Sequence, residues 1–311
     1  FNKTALDLYR APMWHAEYKE ENRTPYAAIQ TSLGCQFGCD FCMINIVNRV
    51  DNDLSVASSH SPNMRFWTPA FMLNEFETLA NLGVEHIRIS DEMFFLNQRY
   101  FEPLLEGLVD RGMNLKMWSY TRIDTVREKY LELFKNAGIN WLAVGIEAGN
   151  REVRREVSKG TFQLDDISSV VHMIQKHGIG VASNYIFGFP DDTFDTMQQT
   201  LDLALELNTE MANLYPCQAL PGSPLHVKAK AEGTALPDTY QGYGFLSYEA
   251  TPMATKYVSA AEVVRFRDDA WNKYHSNPAF LNLIENKFGS EAKLGIQNLA
   301  EVKLKRRILG D

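Results

Sequence analysis

Apolar positions along this chain follow two alternating rhythms. Short apolar runs at residues 26–32, 85–90, 115–121, 141–146, 181–188 and 212–217 read as strands. Between them apolar residues recur at helical spacing. Thr68 is placed as an N-cap with Pro69 at the first helical position, followed by Met72, Phe76, Leu79 and Leu82 on one face and Gly83 as the stop. A second helix carries Phe101, Leu104, Leu105 and Leu108 and ends near Gly112. A third is expected from Asp124 through Val126, Tyr130, Leu133 and Phe134 to Gly138. A fourth carries Leu164, Ile167, Val170, Val171 and Ile174 up to Gly178, and a fifth starts near Thr193 with Met197, Leu201, Ala204 and Leu205. Strands alternating with such helices predict a parallel α/β sheet. Six successive units without a central reversal predict an open, curled (β/α)6 partial barrel of the TIM type; a doubly wound sheet is the alternative. In either, function sits at the carboxyl ends of the strands.

The rhythm changes after about Leu225. Residues 233–252, rich in Gly, Pro, Thr and Tyr, read as a long loop, and residues 259–275, 278–288 and 291–309 read as helices. The expected organisation is a lead-in over residues 1–24, a barrel over 25–225, and a loop with a C-terminal helical cap over 226–311. The polar stretch 48–63 reads as a loop insertion.

Composition narrows the function classes. The 311 residues carry a net charge of −8, which disfavours broad nucleic-acid binding. No uncharged apolar run approaches the roughly 20 residues of a membrane span, and the first residues do not read as a signal peptide, so none is expected. The chain opens on Phe1 rather than a methionine, so residues are expected upstream. Three of the four cysteines crowd one loop, which points to metal ligation rather than a disulfide framework and hence to a reducing compartment, the cytoplasm.

That loop, Thr31-Ser32-Leu33-Gly34-Cys35-Gln36-Phe37-Gly38-Cys39-Asp40-Phe41-Cys42, directly follows a strand. Three thiolates can hold three irons of a [4Fe–4S] cubane and leave the fourth iron open to a chelating molecule. Gly34 and Gly38 allow a tight turn around the cluster, and Phe41 shields one side. A zinc site with a fourth ligand is the alternative for these thiolates alone.

The loop, with an aromatic just before its last cysteine, resembles the signature of the radical S-adenosylmethionine superfamily, and the resemblance runs over residues 25–224. It implies an open six-unit barrel. It also implies a cluster on Cys35, Cys39 and Cys42, whose open iron is chelated by the amino and carboxylate groups of S-adenosylmethionine. One electron then yields methionine and a 5′-deoxyadenosyl radical. Further positions follow at successive strand ends. Glu92, in Ser90-Asp91-Glu92, is similar to the family's amino-group ligand, though the accompanying glycines are missing. Ser119 and Arg122 end the third strand, with Arg122 placed to meet a carboxylate. Glu147, in Gly145-Ile146-Glu147-Ala148-Gly149, resembles the ribose-binding acid; Lys159 resembles a carboxylate-facing base; Asn184, ahead of Gly188-Phe189-Pro190, resembles a ribose-binding polar residue, with Gly188 allowing close backbone approach.

The lead-in to the first strand, Asp91-Glu92-Met93-Phe94, Tyr215-Pro216 and Pro221-Gly222-Ser223-Pro224 are similar to cobalamin-dependent members. That likeness implies methyl transfer to a small-molecule substrate, with an external flavodoxin- or ferredoxin-type electron donor. No Asp-x-His-x-x-Gly motif occurs, so either a cobalamin domain lies upstream of Phe1 or this member works without one, as an epimerase, oxidase or rearrangement enzyme. A methylthiolating role on nucleic acid or a ribosomal protein is disfavoured by charge and by the missing second cysteine triad. The reading from a different class is a non-catalytic iron–sulfur or zinc module used for interaction. Cys217 is expected to look into the barrel mouth, where it would donate a hydrogen atom. Tyr185, Asn213 and Tyr215 are potential pocket residues, for which barrel packing is the simpler account.

Overall fold

The computed structural model describes residues 8–11, 23–44, 46, 64–160 and 163–311. The insertion 48–63 and most of the lead-in lie outside the described residues. Among the described residues nine strands run in chain order: β1 (Arg10–Ala11), β2 (Thr24–Ile29), β3 (Ser32–Leu33), β4 (Arg65–Phe66), β5 (His86–Ile89), β6 (Lys116–Arg122), β7 (Ile139–Glu147), β8 (Gly180–Phe187) and β9 (Met211–Pro216). The main sheet has the order β1-β2-β5-β6-β7-β8-β9, parallel from β2 to β9, with β1 antiparallel at its edge. Strand order follows chain order without reversal, which makes the sheet the open (β/α)6 half-barrel expected. β3 and β4 form a separate antiparallel pair beside the cysteine loop.

Helices cover the convex face: α1 (Pro69–Asn81), α2 (Gln98–Asp110), α3 (Leu131–Asn136), α5 (Leu164–Lys176) and α6 (Phe194–Leu207), while the short α4 (Arg151–Glu156) follows the end of β7 and packs through Val153 with Phe189 and Leu225. α1 starts where Thr68 Oγ1 accepts from Phe71 N, has Pro69 in its first turn, and buries Met72, Phe76 and Leu79. Each such side chain contributes about 1.5–3 kcal/mol by leaving water. The alternation of the strands sets the two faces. Ile87 and Ile89, Leu142 and Val144, and Tyr185 and Phe187 pack into the core under the helices. Ala28, Arg88, Tyr120, Asn184 and Tyr215 occupy the concave face and stay partly or wholly exposed.

The third helix is shorter than expected. Residues 123–130 make two 3-10 turns, and only Leu131–Asn136 is α-helical. Asp124, expected to open that helix, instead binds Arg122 through both carboxylate oxygens at 2.9 Å. After β9 come α7 (Pro224–Ala231), α8 (Ala260–His275), α9 (Pro278–Phe288) and α10 (Ser290–Ala300). α8 begins at a Ser259–Glu262 capping box and lies along the flank of β8 and β9. It also covers the open sheet edge, because Arg267 Nε donates to the free carbonyl of Leu214 on β9 at 2.6 Å. Edge groups left bare invite pairing with other chains. The last helix stops short of the expected residue 309. Arg306, fully buried, turns the tail back by bonding both oxygens of Asp268 at 2.8 Å and the carbonyls of Phe245 and Ser247 at 2.9 Å.

Candidate active site at the strand carboxyl ends

The cysteine loop leaves the end of β2 and is held by one carboxylate. Asp91, fully buried just past β5, accepts hydrogen bonds at 2.6 Å from Thr31 N, Thr31 Oγ1 and Ser32 Oγ. Tyr100 adds a bond from its hydroxyl to the Thr31 carbonyl. Glu92 beside it accepts from Gly34 N at 3.0 Å, and Gly34 takes φ +100°, a conformation open to glycine. The far end of the loop is tied to the rest of the chain by Asp40, whose N–H donates to Val157 O and whose carbonyl accepts from Leu225 N. The loop is therefore fixed at both ends before any ligand arrives.

Cys35, Cys39 and Cys42 border one cavity of about 270 Å³, together with Phe37, Phe41, Glu92, Tyr120, Arg122, Gly145, Glu147, Lys159, Asn184 and Tyr215. Among the described residues no three His, Cys, Asp or Glu side chains converge on one point, as a single metal ion requires; the thiols instead ring a space. Burial pushes all three thiols up, Cys42 to about 11. Lys159 opposes this at all three, and Arg122 at Cys35 and Cys39. Those two cations are the groups that would favour thiolate ligation. Phe41 packs on Phe189 at 5.3 Å between ring centres and keeps that wall apolar.

Arg122 Nη1 donates to Cys39 Sγ at 3.2 Å, and its guanidinium lies 3.8 Å over the Phe37 ring. It also donates to the Lys159 carbonyl. Glu147 and Lys159, assigned separate tasks from sequence, are joined in a buried ion pair at 2.7 Å. The backbone at Glu147 is left-handed, φ +71°, and the β7–β8 register shifts between Gly145 and Glu147. That bulge re-aims the carboxylate into the cavity, and a non-glycine residue held there costs on the order of 1–3 kcal/mol. Gly145 leaves room for that pair. A Cβ at Gly145 would sit 2.6 Å from Glu147 Oε1 and 2.8 Å from Lys159 Nζ. Asn184 Oδ1 accepts from Asn213 Nδ2 at 2.9 Å, which orients the amide toward the cavity wall.

Two expected site residues are elsewhere. Ser119 is fully buried and alternates with the cavity residue Tyr120, so it faces the helix layer. Cys217 does not look into the mouth. Its side chain is 1% exposed in a second apolar cluster with Ala148, Val153, Phe189, Leu225 and Met253. Its thiol is pushed far above its ordinary value by burial. Gly188 does make a close approach, but to α8: a Cβ there would lie 2.5 Å from a Val263 methyl. Tyr215 lines the cavity, whereas Tyr185 is core. The sequence reading gave Asp91 no role of its own; an acid directly after an apolar strand and opposite Thr31-Ser32 was the available signal.

A half-barrel whose strand ends gather three cysteines, two cations and two acids around one cavity is the architecture of an iron–sulfur site open to a second cofactor. Residues 29–204, more than half of the chain, match the family described as the Radical SAM superfamily, and the chain belongs to it. Over 269 residues it is 23% identical to an uncharacterized methyltransferase of Pyrococcus horikoshii, covering 85% of this chain and 54% of that protein. It is 26% identical over 258 residues to the bacteriochlorophyllide d C-12(1)-methyltransferase of Chlorobaculum tepidum, covering 74% and 53%. The chain thus spans about half the length of these relatives. Its fold is that of the radical S-adenosylmethionine methyltransferase TsrM from Kitasatospora setae, solved with cobalamin and a [4Fe-4S] cluster. The TM-score is 0.63 at 17% identity, over 89% of this chain and 61% of that one. The cofactors of the superfamily are a [4Fe–4S] cluster and S-adenosylmethionine, and the donor set around the cavity fits both. No helix among the described residues is long and apolar enough to cross a membrane.

Proposed function

We propose that this chain is the radical S-adenosylmethionine part of a cobalamin-dependent methyltransferase acting on a small molecule. The observation that carries the reading is the sharing of one cavity wall by the three thiols and the Glu147–Lys159 pair. When bound, the cluster supplies the single electron that cleaves S-adenosylmethionine to methionine and a 5′-deoxyadenosyl radical.

The chain's own residues do the rest. Cys35, Cys39 and Cys42 are the residues that would hold the cluster, three thiolates for three of its irons. Glu92, fixed by Gly34 N, accepts from the cofactor's amino group. Lys159 and Arg122 face its carboxylate. Glu147, paired with Lys159 at 2.7 Å, would receive the two ribose hydroxyls, a diol that one carboxylate can take with both oxygens, and Asn184 would support the same sugar. The buried pair satisfies two charges while the site waits, since either one alone would be left unpaired in a dry place. Phe41 and Phe189 exclude water from the cluster side.

The methyltransferase reading is supported by the names of the relatives and by the cobalamin in the TsrM structure. A flavodoxin- or ferredoxin-type protein is the proposed electron donor, and a reducing compartment such as the cytoplasm the proposed location. The test is anaerobic reconstitution with iron and sulfide. The expected result is about four irons per chain and, with reductant, 5′-deoxyadenosine from S-adenosylmethionine. A Cys39→Ala variant that still makes 5′-deoxyadenosine would overturn the reading.

A further inference from the structure

Among the described residues, Arg88 on the concave face has no carboxylate within ion-pair distance. The register pairs Ala28 with Arg88 and Arg88 with Trp118, and Ile87 and Ile89 are buried in the core on the opposite side. Arg88 therefore projects inward with Trp118 and Tyr120. Its guanidinium carbon lies 5.8 Å from the Trp118 ring centre and 5.1 Å from that of Tyr120. Burial pushes the hydroxyls of Tyr26 and Tyr215 up and the Arg88 charge opposes it at both; at Tyr26 a side-chain hydrogen bond to Arg88 acts in the same direction. Arg88 is exposed, and among the described residues no Asp or Glu comes within ion-pair distance of it. The two cations at the mouth differ: Arg122 is held by Asp124 and Lys159 by Glu147. Tyr120 and Tyr215 also line the cysteine cavity, so Arg88 stands beside the site where the radical would form.

An arginine beside aromatic faces is pre-organised, and the guanidinium donors not engaged by Tyr26 can meet the planar geometry of a carboxylate. The rings offer a platform for an apolar or planar body attached to that carboxylate. We propose that the concave face holds a carboxylate-recognition site for the substrate. Arg88 takes the carboxylate, Trp118 and Tyr120 flank it, and the remainder of the molecule extends toward the cysteine mouth. The substrate class is a small organic acid with an apolar body. This inference rests on the proposed function, because it names the substrate of that same site.

The test is calorimetric titration of the reconstituted chain with phenylacetate, its neutral counterpart phenylacetamide, and phenyl phosphate. Phenylacetate is expected to bind at least about ten-fold more tightly than the amide. Arg88→Gln removes that preference, and Arg88→Lys, which keeps the charge without the fork, restores part of it. Melting temperatures of both variants within a few degrees of the parent establish that they fold. Equal binding of acid and amide to the parent, an acid preference surviving in Arg88→Gln, or phenyl phosphate binding more tightly than phenylacetate overturns the inference. The two readings fail separately. Lost acid preference alongside normal 5′-deoxyadenosine formation by the parent sinks the carboxylate site alone, and a clear acid preference with no 5′-deoxyadenosine sinks the proposed function alone.

Discussion

Replacing Asp91 by alanine tests whether the cysteine loop is set before cluster binding. The carboxylate is fully buried and accepts three hydrogen bonds, all at 2.6 Å, from Thr31 N, Thr31 Oγ1 and Ser32 Oγ. A hydrogen bond to a charged group is worth about 1.5–3 kcal/mol, and a stranded buried donor costs about 1–3 kcal/mol. The two hydroxyls can rotate to other acceptors, but the Thr31 amide cannot. Removing the carboxylate also relieves its own burial, which holds its pKa above the ordinary range despite the donors. Setting these against each other, Asp91→Ala is expected to cost about 2–4 kcal/mol. Asp91→Asn, which keeps the shape and one good acceptor, is expected to cost about half of that. The assay is urea denaturation of the cluster-free protein, with iron content after anaerobic reconstitution read in parallel. Asp91→Ala should lose iron disproportionately, because residues 31 and 32 lead directly into Cys35. An alanine variant within about 0.5 kcal/mol of the parent, the range of an ordinary surface change, and with full iron loading refutes the reasoning.

Further outcomes follow from the same geometry. Glu147→Ala leaves Lys159 as a buried, unpaired cation and should destabilise the cluster-free protein by about 3–5 kcal/mol, measured by denaturation; a neutral effect would mean that the pair is not formed in solution. Gly145→Ala puts a Cβ against both ends of that pair, so the variant should fold and load iron yet bind S-adenosylmethionine at least about ten-fold more weakly by calorimetry. In the cluster-free protein Cys42 is pushed up to about 11 from 9.0. Because only the thiolate is alkylated, its iodoacetamide rate should rise with pH toward a midpoint near 11, staying about a hundred-fold below the fully ionised rate at pH 9. A midpoint near 9 would show that burial does not hold the thiol protonated.

The sequence carried most of the scaffold because local chemistry and long-range packing agree there. Thr68, Pro69 and Gly83 mark α1 by capping alone, and the structure uses them so. Where a distant partner competes, the reading fails. Asp124 looked like the start of a helix but is spent on Arg122, and the turn beyond it stays 3-10. Residues 301–309 kept a helical pattern, yet Arg306 is pulled to Asp268 and to the 245–247 loop. The short helix α4 escaped notice because its signal is a single cap, Asn150 accepting from Glu152 N and Val153 N. In the site, residues quoted from the cysteine motif and the strand ends came together, since strand ends in a half-barrel necessarily share one rim. Cys217 was misplaced because nothing local shows that Met253 returns to bond its carbonyl and bury it. The Glu147–Lys159 pair was equally hidden: its geometry depends on a bulge and a left-handed residue that no periodicity encodes.

The central claim is that the iron left open by Cys35, Cys39 and Cys42 faces a cofactor pocket built from Glu92, Arg122, Glu147, Lys159 and Asn184. Its most direct test is the EPR spectrum of the reduced, reconstituted protein with and without S-adenosylmethionine. The account predicts that adding S-adenosylmethionine shifts the g-values of the cluster, and that the shift is lost in Glu147→Gln with iron content retained. A spectrum unchanged by S-adenosylmethionine in the parent protein would contradict it.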